Sequence, residues 1–415
     1  MAFGPPGANR QAGSPQSQSS EDSTLRFAED GTFQITVFSD LHLGENPDTL
    51  EGPARDKRTA DVVRKVLEHE SSQLVVLNRD LISGYGLASD NATSYLDQIL
   101  APINDTGLPR ATTYGNHDNE SFSSTPKLFV REKAYSRSLT QDMLPLNPEA
   151  GVSNYYLLVF PASGDLDTPE LILWFFDSRG GGDNRDWVDY VMAQAIAWFQ
   201  STRLKLNNQY NKTIPSLAFF HIPITGARDF QKRPGISPSR KPGINGEDVT
   251  NQGAMYGDSP VRPHDDDLMR ALGKANSLLG VFSGHDHDND WYFNWKDTNY
   301  VRGGGFDYIG IPVCYGRNTG YGGYGNLARG ARQIFLNKDT LTEEVISWIR
   351  LDDGMVTENV TLNSTFGEDE YHPLPKHMEP RRGEATGAAD SLHVVPSLYS
   401  AALCLFLIFC FPFRL

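Results

Sequence analysis

The stretch Ile35-Thr36-Val37-Phe38-Ser39-Asp40-Leu41-His42 decides how this chain is read. Its first half is a short apolar, β-branched and aromatic run, the signature of a buried strand. Its second half is a polar motif. The same unit recurs along the chain. Leu74-Val75-Val76-Leu77 precedes Asp80, Ala111-Thr112-Thr113-Tyr114 precedes Gly115, and Leu171 to Phe176 precede Asp177. Leu217 to Phe220 precede His221, and Leu279 to Phe282 precede Gly284. Amphipathic segments alternate with these runs. Residues 56–69 place Ala60, Val63, Val66 and Leu67 on one helical face, and residues 186–206 do the same with Val191, Ala195, Ile196 and Phe199. Strand–helix alternation predicts an α/β core with parallel pairing, in which ligands gather at the carboxyl ends of the strands.

Five of the polar motifs share one chemistry. They are Asp40-Leu41-His42, Asp80 in Leu77-Asn78-Arg79-Asp80, Gly115-Asn116-His117-Asp118, His221 in Phe220-His221-Ile222-Pro223, and Gly284-His285-Asp286-His287. Carboxylate, imidazole and carboxamide together suit hard and borderline first-row metals. Singly the motifs say little. Asp-x-His also describes a capping Asp beside an incidental His, Gly-Asn favours a turn, and a histidine after a strand is most often a satisfied core residue. The weight lies in the ordered set, each member at a strand end.

The order and residue types resemble the calcineurin-like metallophosphoesterases, over most of residues 33–352. The likeness is to the fungal extracellular-type group, which resembles a branch of the plant purple acid phosphatases. Leu173-Trp174-Phe175-Phe176-Asp177-Ser178-Arg179-Gly180, the Gly320-Tyr321-Gly322-Gly323-Tyr324-Gly325 run and Gly330-Ala331-Arg332-Gln333 support it. The resemblance implies hydrolysis of a phosphate ester by two metal ions (Mn, Fe or Zn). Such a pair acidifies a bridging water to a pKa of about 7 and grips the phosphate oxygens. Asp80 would bridge the ions, Asp40, His42 and His287 would hold the first, and Asn116, His221 and His285 the second. His117 would act on the substrate, as proton donor to the leaving oxygen or as a cation near the phosphate. Asp118 would orient His117 by accepting its second ring proton. Arg179 either clamps phosphate or forms a structural ion pair. Arg317 and the Tyr/Gly run would form a loop over the site, or the glycines serve tight turns instead. A phosphomonoesterase is the first reading, with a phosphodiesterase or a catalytically impaired scaffold as alternatives.

Two departures from the family pattern stand out. Purple enzymes carry an iron-binding Tyr three residues after the bridging Asp, where this chain has Ser83, so no purple colour is expected. The family has Gly before the bridging Asp, where this chain has Arg79. A left-handed backbone there costs a non-Gly residue about 1–2 kcal/mol. Arg79 pointing outward, weakened metal binding and an added phosphate contact are the open readings.

The fold class expected is α/β, two packed mixed β-sheets flanked by helices, the four-layer metallophosphoesterase sandwich. Short strands after Gly284 (291–295, 333–336, 344–350) predict that the second, more antiparallel sheet is built there. The polar, Gly- and Pro-containing segment 225–264 is long for an idle connection, so it is read as a lid or wall near His221, with disorder the alternative.

A net charge of −15 and the lack of a Lys/Arg cluster argue against nucleic acid as a partner. Of three cysteines, Cys404 and Cys410 lie in an apolar tail, which leaves Cys314 without a partner for an internal disulfide. Residues 1–30 are rich in Gly, Pro, Ser and Gln, read as disordered, and hold no apolar core of a signal peptide. The catalytic domain is set at 31–365, a linker at 366–393 and a hydrophobic tail at 394–415. Val394 to Phe413 carry no charge, about the minimum to cross a bilayer. Small residues at Gly387-Ala388-Ala389 precede that tail, as in a GPI-attachment signal. Sequons start at Asn91, Asn104, Asn119, Asn211, Asn359 and Asn363. The expectation is a membrane-attached protein, at the cell surface through a GPI-type anchor or C-terminally anchored with a cytosolic domain.

Overall fold

In the computed structural model the described residues are 24–372, apart from 85–86, 88–90, 121–123, 165, 182–188, 246–247, 250–263 and 296–309. The tail, its cysteines and the expected anchor signal lie outside them.

Among the described residues, thirteen strands form two sheets. The first holds β2 (Thr32–Phe38), β3 (Leu74–Asn78) and β4 (Arg110–Thr113), all parallel. It continues on the other side of β2 through antiparallel β11 (Gly330–Asn337), β12 (Val345–Leu351) and β13 (Val356–Leu362). The second sheet has β6 (Leu171–Phe175), β7 (Ser216–Phe219), β8 (Leu278–Ser283) and β10 (Pro312–Tyr315) in parallel. β5 (Tyr155–Phe160) pairs antiparallel with β6, β9 (Tyr292–Asn294) pairs antiparallel with β10, and β1 (Leu25–Arg26) pairs parallel with β5.

The period of two along these strands builds the layers. Ile35, Val37, Leu74 and Val76 pack between the sheets with Leu173, Phe175, Phe219 and Phe282. Their neighbours Phe38, Val75 and Leu77 point the other way, into a core closed by α1 (Glu51–His69) and α2 (Ala92–Thr106). On the far side, Ile172 and Trp174 meet α4 (Ala193–Tyr210) and α6 (Asp266–Gly273); α3 (Thr125–Lys133) and α5 (Thr225–Gln231) complete the helices over the first and second sheets. Each sheet is covered by helices on its outer face, giving the four-layer α/β arrangement expected.

The partition of strands differs from the expectation. The parallel strands do not form one sheet with a C-terminal antiparallel sheet laid on it; β2–β4 and β6–β8 belong to different sheets, and β11–β13 extend the first. Runs buried on both faces carry no mark of which sheet they join. The ordered fold also exceeds 31–365. Leu25–Arg26 is a strand, Phe366 is buried in the inter-sheet core, and the Tyr371 N–H donates to Ser239 O at 2.6 Å. Helix α1 begins at Glu51, with Pro53 in its first turn where its missing N–H costs nothing. Helix α4 starts at Ala193, later than expected.

Candidate metal centre

Every expected ligand follows the carboxyl end of a parallel strand. Asp40 and His42 follow β2, Asp80 follows β3, Asn116 follows β4, His221 follows β7, and His285 and His287 follow β8. The two sheets lie face to face, so these ends converge. Asp40, His42 and His287 form one group of mutually close ligand atoms, and Asp80, His221 and His285 form another, each within 4.8 Å. A third group joins His42, Asp80 and His117 within the same 4.8 Å. Asp80 is thus the carboxylate common to both sides.

The backbone is bent hard to do this. Asp40, His42, Arg79, Asp80, Arg179 and His285 have φ of 56°, 50°, 74°, 49°, 60° and 78°. Left-handed non-Gly residues cost about 1–2 kcal/mol each, and such strain collects at functional sites. Gly115 is required for space, since a Cβ there would overlap Asp80 Oδ1.

The hydrogen bonds fix how the donors point. His287 Nδ1 lies 2.8 Å from Tyr324 O and must donate to it, which turns the Nε2 lone pair inward. His42 Nδ1 is held by Ser83 Oγ at 3.0 Å, and His42 Nε2 faces His287 Nε2 at 3.1 Å. His221 Nε2 faces Asp80 Oδ2 at 2.9 Å. Asn116 Oδ1 and His285 Nδ1 are buried without a hydrogen-bond partner. Imidazole nitrogens and a carboxylate crowded this closely, with two buried ligand atoms of the right type left without a hydrogen bond, fit a pair of cations between them.

The electrostatics agree. Burial pushes His42 well below the usual imidazole value, His285 to about 3 and His287 to about 4, so all three are neutral and able to ligate. Burial, then the neighbouring Asp80, drives Asp40 well above the usual carboxylate range. Burial would raise Asp80 too, but His221 and His117 hold it well below. Two acids this close demand positive charge.

His117 stands at the wall of a cavity of about 550 Å³ that also exposes His42, Asn116, His285, His287 and Tyr324. Burial opposes its charge, yet Asp80 and a bond to Glu120 lift it to about 9. That bond corrects the role expected of Asp118. The Asp118 carboxylate accepts the backbone N–H groups of Gly115, Leu81 and Ile82 at 2.7, 2.9 and 3.1 Å, clamping the loop after β4 to the loop after β3. The carboxylate on the His117 ring is Glu120, at 2.8 Å from Nδ1. The missed signal was the spacing His117-x-x-Glu120.

Of the two basic candidates, Arg317 is placed differently from a phosphate clamp. Arg317 is buried, paired with Asp290 and donating to Ala328 O at 2.8 Å, so it does not reach the cavity. Its burial in a polar cage overturns the substrate-loop expectation. Arg179 is half-buried, next to Gly180, which packs on Asn116; it is not among the residues lining the cavity. Arg79 does not point outward. It is fully buried, paired with Asp177 and donating to Ser178 Oγ at 2.9 Å. The Tyr/Gly run does reach the site, through Gly323 and Tyr324. In the 225–264 segment, Asn245 donates to Asp288 O, one residue past His287, so that part forms a wall beside the ligand loop.

A two-sheet α/β fold with paired ligand sets at its strand ends defines a metallohydrolase. The chain belongs to the calcineurin-like phosphoesterases, whose family profile matches residues 33–289. Membership makes it a metal-dependent phosphoric ester hydrolase. It is 28% identical over 359 residues to "Probable inactive purple acid phosphatase 28" of Arabidopsis thaliana, covering 79% of this chain and 83% of that one. It is 27% identical over 312 residues to "Phosphatase DCR2" of Saccharomyces cerevisiae, covering 70% of this chain and 49% of that one. Among solved structures, a dimetal phosphatase from Danio rerio matches with a TM-score of 0.48 and 14% identity, over 80% of this chain and 99% of that one.

Proposed function

We propose that this protein hydrolyses phosphate monoesters at a dinuclear centre of Mn, Fe or Zn. The observation that carries it is the convergence of the His42, His287 and His221 Nε2 atoms and the Asp80 carboxylate beside the unpartnered Asn116 Oδ1 and His285 Nδ1. Asp40, His42 and His287 would hold one ion, Asn116, His221 and His285 the other, and Asp80 both. When bound, such ions polarise the phosphate oxygens and lower the pKa of a bound water. His117 lines the cavity and is not one of these assigned ligands, which supports a role for it in protonating the leaving oxygen. Ser83 stands where a purple enzyme has its Tyr and is engaged with His42, which favours a colourless centre. The names of the relatives, purple acid phosphatase and phosphatase, favour monoesters.

A scaffold without turnover is the second reading, favoured by the word "inactive" in three Arabidopsis relatives' names. The complete donor set opposes it. The deciding experiment measures metal content and hydrolysis of para-nitrophenyl phosphate and its bis-ester, with and without chelator, beside His117→Ala. Chelator-sensitive monoester turnover that falls in the variant supports the proposal. Bis-ester turnover alone would make it a phosphodiesterase, and two bound metals with no turnover would make it a scaffold.

Membrane attachment at the cell surface through the 394–415 tail is part of the same proposal. Exposed Asn91, Asn211 and Asn359 suit glycans, whereas Asn119 lies between His117 and Glu120. Release from cells by a phosphatidylinositol-specific phospholipase supports a GPI-type anchor; retention favours a C-terminal anchor with the domain in the cytosol.

A further inference from the structure

We propose that Glu120 is the positioning residue for His117, so that the two work as a dyad in the reaction above; the inference rests on the phosphatase reading. The geometry begins with one 3-10 turn, His117–Asn119, directly after the ligand Asn116. In such a turn residues three apart stand over one another. Glu120 therefore comes back over the His117 ring, and its Oε1 lies 2.8 Å from Nδ1. A carboxylate has no proton to give, so Nδ1 donates. The ring's other nitrogen is left on the side away from Glu120. A ring nitrogen of His117 lies within 4.8 Å of both an Asp80 oxygen and a His42 nitrogen.

Three contacts lock this arrangement. The His117 backbone N–H donates to Asp80 Oδ1 at 3.0 Å, which fixes where the turn starts. Asp118, between the pair, is anchored by three backbone N–H groups and leaves the ring to Glu120. The His42 and His117 rings meet edge to face at 4.8 Å, which limits rotation of the imidazole. Both His117 and Glu120 line the cavity, so the pair faces the space a leaving group would enter. The Glu120 carboxylate thus sets which His117 nitrogen carries the outward lone pair or proton, and where it points.

The test uses the full chain loaded with metal, and two esters. Phenyl phosphate has a poor leaving group that needs a proton; para-nitrophenyl phosphate has a good one that hardly does. Glu120→Ala is expected to slow phenyl phosphate turnover by roughly 10–100-fold, the usual loss when an orienting partner is removed, and para-nitrophenyl phosphate far less. Glu120→Gln keeps an acceptor oxygen and is expected to recover most of that loss. In a His117→Ala background, Glu120→Ala should change nothing further. Equal losses on the two esters, or an undiminished loss in the His117→Ala background, would overturn the dyad. Histidine-labelled nitrogen NMR gives a readout independent of turnover. The hydrogen-bonded His117 Nδ1–H signal is expected in the parent and absent in Glu120→Ala. If the parent hydrolyses neither ester, the phosphatase reading fails, and an Nδ1–H signal unchanged in Glu120→Ala sinks the pairing separately.

Discussion

Arg79 at the end of β3 and Asp177 at the end of β6 form a buried ion pair that ties one sheet to the other, one residue from the shared carboxylate Asp80. The two partners are not equally dependent on each other. Asp177 also accepts the N–H groups of Val152 and Arg179, each at 2.9 Å. Beyond Asp177, Arg79 donates to Ser178 Oγ at 2.9 Å and to the Arg179 carbonyl at 3.2 Å, and its buried Nε has no hydrogen bond.

Asp177→Asn should therefore be the more damaging change. It strands a buried guanidinium, and breaking one side of a buried pair typically costs about 3–5 kcal/mol. Arg79→Gly removes the charge and also relieves a left-handed φ of 74°, a gain of about 1–2 kcal/mol that offsets part of the loss. Denaturant unfolding of both variants checks the order. Equal destabilisation would show that Arg79 is not held by Asp177 alone.

Asp80→Asn addresses the centre itself. The carboxylate grouped with His221 and His285 on one side and with His42 on the other becomes a neutral amide, while the backbone bond to the His117 N–H can persist through the remaining oxygen. Occupancy of both metals should fall together, with turnover following. Elemental analysis of the purified variant decides it; loss of a single ion would remove Asp80 from the bridging position.

These contacts also show where the sequence was readable. The ligands were legible because each pairs a metal-binding side chain with a strand end, and a buried apolar run marks a strand end locally. Sheet membership was not, because Leu74–Leu77 and Leu217–Phe220 are equally apolar and pairing is decided by distant partners. The direction of Arg79 depends on a backbone angle, and Glu120 depends on a turn that folds i onto i+3; neither is a compositional signal. Arg317 was misread because a basic residue near a Gly-rich loop looks the same whether it faces substrate or an internal Asp290.

The Gly-rich loop supplies a further expectation. Gly323 has φ 67°, and a Cβ there would overlap His287 Cε1. The next residue, Tyr324, stacks on the His287 ring at 4.2 Å between centroids, and its carbonyl sets the ring's tautomer. Gly323→Ala should push this loop off His287 and weaken the metal on the His42 side by roughly 10–100-fold, as loss of outer support usually does. Titration with a coloured ion such as Co²⁺ would show one weakened site of two. Two unaltered sites would mean that the loop is dispensable for His287.

Asp265 offers a pH test away from the metals. It is buried just before α6, and its carboxylate accepts the Thr225 N–H at the start of α5. Burial drives its pKa from 3.8 to about 7 against that bond, with Asp266 and Asp229 adding to the rise. The fold thus prefers the neutral acid. Stability from this group is complete below the unfolded value of 3.8 and is lost as pH rises through about 7. Asp265→Asn keeps an acceptor for Thr225 and cannot ionise. Its Tm relative to the parent should rise between pH 4 and about pH 7 and level off above that. A difference in Tm that is flat over that window would show that Asp265 is ionised, and satisfied as such, in the folded protein.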